Sequence, residues 1–103
     1  MSRTFYSDYV SHCLRTYFAV SKKDVLQERI PRVEKNNWVS CYNVLKDYDQ
    51  EHIQLLKVLY CNEGYLPDII NSLHREKGIP QNTVWNFINS VERKIAKKRG
   101  LIP

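Results

Sequence analysis

The stretch Pro80-Gln81-Asn82-Thr83-Val84-Trp85-Asn86-Phe87-Ile88-Asn89-Ser90-Val91-Glu92-Arg93-Lys94-Ile95-Ala96-Lys97-Lys98-Arg99 decides how this chain folds. Val84, Phe87, Ile88, Val91 and Ile95 recur at the three- and four-residue spacing of one helix face. Opposite them fall Asn82, Asn86, Asn89, Arg93 and Lys97. Trp85 lies at the edge of the apolar stripe, where stacking on a sugar or base is one role and packing on a neighbouring helix the more usual one. The stretch therefore predicts a long helix over 80–99 with an apolar inner face and a polar, cationic outer face.

Just upstream, Pro67 suits the first position of a helix, followed by Asp68 and by the apolar Ile69, Ile70 and Leu73. Gly78 marks its end, because glycine tolerates the left-handed conformation that closes helices. Asn62-Glu63-Gly64-Tyr65 reads as a turn. Before it, Asp49 caps a helix carrying Ile53, Leu55, Leu56, Val58, Leu59 and Tyr60, with Glu51 in its first turn. Apolar residues surround most of that helix, which places it in the middle of the fold. A further helix runs from a cap at Asn36 or Asn37 to about Asp47, burying Trp38, Cys41, Tyr42 and Leu45.

Residues 19–35 read as a connector with a short turn of helix at 25–29, since Pro31 would break a helix interior. Residues 5–18 form the first helix: Phe5, Tyr9, Cys13 and Tyr17 lie four apart, with Tyr6, Val10, Leu14 and Phe18 beside them. Its tyrosines cover the core or form a dimer seam. The expected fold is all-α, a single helical domain over 1–103 with about five helices; 1–48 holds the N-terminal helices and connector, and 49–103 the last three.

Composition limits what such a domain does. Hydrophobic residues make up 43%, and no apolar run reaches the roughly 18 residues of a membrane span. Met1-Ser2-Arg3-Thr4-Phe5-Tyr6-Ser7-Asp8 lacks the greasy run of a signal peptide, so the expected location is the cytoplasm. Cys13, Cys41 and Cys61 are odd in number and far apart, which fits reduced, buried thiols. His12, His52, His74 and the cysteines never pair at the spacing of a structural zinc site. Phosphate-loop, metalloprotease and serine-hydrolase motifs are lacking, and a thiol–imidazole pair of Cys61 and His52 is less economical than a buried Cys61. The expectation is a non-enzyme with no cofactor and no metal.

The net charge of +5 points to an acidic partner, and Arg93, Lys94, Lys97, Lys98 and Arg99 concentrate it. Cations at a helix C-terminus also favour the macrodipole, so charge alone leaves a solvated helix end as an equal reading. The order of elements adds to it: an apolar helix, a short helix, a glycine-containing turn, then a longer helix with a polar outer face. In a helix-turn-helix the second helix of the pair enters the major groove. Asparagine pairs with adenine N6 and N7, and arginine with guanine O6 and N7. Asn82, Asn86 and Asn89, with Gln81 and Thr83 beside them, are the candidate base readers. Arg93, Lys94, Lys97, Lys98 and Arg99 are the candidate phosphate contacts.

Residues 49–99 also resemble the C-terminal helix-turn-helix, region 4, of bacterial sigma factors and related phage regulators. The apolar helix Ile53-Gln54-Leu55-Leu56-Lys57-Val58-Leu59-Tyr60 precedes a turn with Gly64-Tyr65, and Asp68-Ile69-Ile70 opens the next helix. Gly78-Ile79-Pro80 followed by Thr83-Val84 announces the recognition helix. Ile70 stands where a small residue is usual, Pro80 where serine is common, and His74-Arg75-Glu76-Lys77 adds about one helical turn. Upstream of 49 nothing resembles the promoter-melting part of a sigma factor, so a small regulator of phage or mobile-element type is the nearer comparison. The resemblance implies double-stranded DNA as partner, with a homodimer and the transcription machinery as further candidates. The competing expectation is a helical protein-interaction module without DNA contact.

Overall fold

The computed structural model describes residues 5–61 and 64–103. Within them the chain is all-helical: α1 (Ser7–Ala19), α2 (Lys22–Leu26), α3 (Arg32–Leu45), α4 (Gln50–Cys61), α5 (Leu66–Lys77) and α6 (Gln81–Lys98). Of the turn expected at 62–65, Gly64 and Tyr65 are described and Asn62 and Glu63 are not; Met1 to Thr4 also lie outside the described residues.

Several boundaries follow from local chemistry. Asp49 Oδ1 accepts from the His52 backbone N–H at 2.9 Å, which caps α4 as expected. That bond is also the main reason the Asp49 carboxyl sits below the ordinary carboxylate range. Gly78 closes α5 at φ 68°, where its N–H reaches the His74 carbonyl. His74-Arg75-Glu76-Lys77 is helical to its end, so the additional turn belongs to α5.

The expected second helix begins too late. It starts directly after Pro31, and Asn37 is fully buried within it rather than capping it. Pro31 has no N–H to lose and an extended ψ of 150°, so it ends the connector and lets α3 begin. The connector itself holds α2, started by Ser21, whose hydroxyl accepts from the Asp24 N–H at 3.2 Å.

The core draws on every long helix: Val10 and Leu14 of α1, Cys41 and Leu45 of α3, Leu56, Leu59 and Tyr60 of α4, Ile70 and Leu73 of α5, and Val84, Ile88, Val91 and Ile95 of α6. Each such aliphatic side chain contributes about 1.5–3 kcal/mol by leaving water. Helix α1 packs against α3, α4 and α6, while α5 lies between α4 and α6. The buried face of α1 is rotated from expectation. Ser7 and Ser11 are buried with Val10, Cys13 and Leu14, whereas Phe5 is 82% exposed and Tyr9 half-exposed. Helix α4 is likewise less enclosed than its composition suggests, with Leu55 only half-buried and Val58 exposed.

Trp38 is core as expected, and its indole N–H donates to the Val20 carbonyl at 3.0 Å. Cys13 and Cys41 are buried, and burial pushes the Cys13 thiol up to about 11 and that of Cys41 up as well. Cys61 departs from expectation: as the last residue of α4 it turns to solvent.

Candidate nucleic-acid interface

Helix α6 presents the two faces its spacing requires. Val84, Ile88, Val91, Glu92, Ile95 and Ala96 are buried. Gln81, Asn82, Thr83, Asn86, Asn89, Arg93, Lys94, Lys97 and Lys98 are exposed. From Asn82 to Lys97 the outer stripe steps by four, three, four and four residues, a straight row about 22 Å long. Its first half is neutral amide and its second half cationic.

Glu92 holds the helix in place, and the sequence reading missed it. This carboxylate is 1% exposed, accepts from the Tyr60 hydroxyl at 2.6 Å, and lies 3.5 Å from Ser11 Oγ. One side chain thus joins α6 to α4 and α1. The signal in sequence is slight: Glu92 interrupts a helix face otherwise built from Ile88, Val91 and Ile95.

The ten candidate residues divide by what they bond. Gln81 donates to Asn71 Oδ1 at 3.2 Å, and Lys94 donates to the Tyr48 hydroxyl at 2.9 Å while lying over the same ring. Arg99 leaves the row. It closes α6, lies half-buried, and its guanidinium donates to the Tyr9 hydroxyl at 3.3 Å. Its Nε is enclosed with no hydrogen-bond partner among the described residues. Six residues after Arg93 the helix has turned through about 600°, which brings position 99 to the inner side. Asn82, Thr83, Asn86, Asn89, Arg93, Lys97 and Lys98 have no side-chain partner among the described residues. Trp85 is half-buried at the edge of α6 and lines a cleft between α1, α5 and α6.

A second polar cluster joins α1 to α3. His12 Nε2 lies 3.0 Å from Glu34 Oε1, and Thr16 donates to Glu34 Oε2 at 2.9 Å. Asn37 donates to Glu34 at 3.5 Å and accepts from the Tyr9 hydroxyl at 3.0 Å. The His12 hydrogen bond, aided by Thr16 and Asn37, holds the Glu34 carboxyl below the usual range. Every group here has found a partner within the chain. No helix among the described residues is long and apolar enough to cross a membrane, and no three metal-ligating side chains converge there. No protein family, curated protein or solved structure matches the chain significantly.

Proposed function

We propose that this chain is a helix-turn-helix protein that binds double-stranded DNA, most simply as a transcriptional regulator of phage or mobile-element type. The observation that carries it is the outer row of α6, where Asn82, Asn86, Asn89, Arg93 and Lys97 are exposed together on one rod. The three-residue connection Gly78-Ile79-Pro80, with Gly78 left-handed, supports the motif, since such turns join its two helices. The amides would meet base edges, and Arg93, Lys97 and Lys98 the phosphates. Arg99 is dropped from the contact set, because it is spent on Tyr9.

Affinity for duplex DNA should fall steeply with salt, because each neutralised phosphate releases roughly one counterion. Replacing Arg93, Lys97 and Lys98 together by alanine should lower affinity on all sequences alike and reduce the log–log salt slope by about three. Asn86→Ala should change which sequences are selected from a random pool more than it changes bulk affinity. Binding that ignores both salt and these substitutions contradicts the docking face.

A second reading has one observation in its favour. Leu55, Val58, Leu73 and Ile79 line an apolar groove of about 520 Å³ between α4 and the end of α5. A partner protein seated there would make this a helical interaction module. Mixed duplex DNA discriminates the two, since a pure protein-interaction module would show no salt-dependent binding to it.

A further inference from the structure

We propose that Arg15, on α1, contacts a phosphate of the DNA strand running beside α6, and that the cleft between α1 and the starts of α5 and α6 receives that strand. This role deepens the docking reading of α6 and rests on it. The cleft encloses about 930 Å³, and Arg15, Asp8, Asn82 and Trp85 are among its walls.

The placement of Arg15 follows from the stripe of α1 that carries it. Tyr9 meets Arg99 at the C-terminal end of α6, and Ser11 meets Glu92 about two turns earlier. Along α1, Asp8, Ser11 and Arg15 fall on one stripe at spacings of three and four, and that stripe lines the cleft with Asn82 and Trp85 at the start of α6. That is the end of α6 whose outer row is amide and carries no cation. A helix lying in a major groove about 12 Å wide has a sugar–phosphate strand along each flank. Among the described residues of the α1 side, Arg15 is the cation that lines this cleft near the base-reading asparagines. Its side chain is exposed, and it has no ion-pair or hydrogen-bond partner among the described residues. A guanidinium fork suits phosphate oxygens, Asn82 can donate to them as well, and Trp85 offers apolar surface to a deoxyribose.

Asp8 sets the path. It lies two turns before Arg15, about 10 Å along α1, and lines the same cleft. Its carboxylate repels phosphate, so the strand crosses at the Arg15 end and away from Asp8. The two residues should thus have opposite signs in binding, which a merely structural role for α1 would not produce.

The test is fluorescence anisotropy of the full chain on a mixed-sequence duplex across a salt series, with melting temperature checked for each variant. Arg15→Ala should weaken binding about five- to tenfold at low salt and lower the log–log slope by about one. Arg15→Lys should recover most of that loss. Asp8→Asn should tighten binding about two- to threefold, since a charge about 10 Å from a phosphate is partly screened. Unchanged affinity for Arg15→Ala, while the Arg93/Lys97/Lys98 variant loses it, would overturn the strand path and leave α6 as the docking face. Weaker binding by Asp8→Asn would overturn it too, because the carboxylate would then be accepting a hydrogen bond from the ligand. If wild type and the α6 variant bind equally, the docking reading itself fails and the role of Arg15 with it.

Discussion

The seam between α1 and α3 and the outer face of α6 are made of similar side chains put to different uses. In the seam, Asn37 is fully buried and its amide is committed to Tyr9 and Glu34. On α6, Asn86 is exposed, with nothing in the described chain for its amide to bond. Burying a polar group without a partner costs about 1–3 kcal/mol, so the seam's network is a condition of folding there. The α6 face meets no such condition. Its polarity satisfies water, and a partner can take water's place.

The widest contrast lies within α6 itself. Ile88→Ala, on the inner face, should lower unfolding stability by about 2–5 kcal/mol in urea denaturation. Asn86→Ala, on the outer face, should stay within about 0.5 kcal/mol. A large destabilisation by Asn86→Ala would mean that its face is part of the fold, and the comparison would break.

Next in size is the seam. Asn37→Ala leaves the Tyr9 hydroxyl without its acceptor and removes one donor to Glu34, and should cost about 2 kcal/mol in the same measurement. Equal effects of Asn37→Ala and Asn86→Ala would remove the distinction between committed and uncommitted amides.

The smallest effect is a pH dependence. Glu34 has a folded-state value depressed chiefly by its hydrogen bond from His12. A depressed carboxyl contributes stability that is present above its unfolded value and lost as pH falls through the folded one. Replacing Glu34 by Gln should therefore flatten the acid limb of a stability-versus-pH curve, by under about 1 kcal/mol given the partial exposure of the pair. An acid limb that survives Glu34→Gln unchanged would place its origin elsewhere.

These contrasts also explain what was legible in sequence. The inner and outer faces of α6 were legible because five apolar residues repeat over about three turns, which fixes orientation whatever the helix packs against. The end of α5 was legible because Gly78 has one dominant structural use. The half-burial of Arg99 was hidden because the run Lys97-Lys98-Arg99 reads as one cationic cluster, while a helix separates neighbours by about 100°. Asn37 was misread as a cap because asparagine favours caps, and nothing local announces that Tyr9, twenty-eight residues away, will bond it. The rotation of α1 was hidden for a related reason. Ser7 and Ser11 are small enough to be buried beside Val10 and Leu14, whereas Tyr9, which mimics part of a core stripe, stays exposed at its ring while its hydroxyl bonds Asn37. Cys61 was expected inside because cysteine usually is, but the helix ends at that residue.

The most direct test of the central claim is a titration of the isotope-labelled chain with a short mixed-sequence duplex at low salt, following side-chain amide signals by nuclear magnetic resonance. Asn82, Asn86 and Asn89 should shift together while Asn37 stays still. Movement of Asn37 with those three unmoved, or no shift in any of them at saturating duplex, would contradict it.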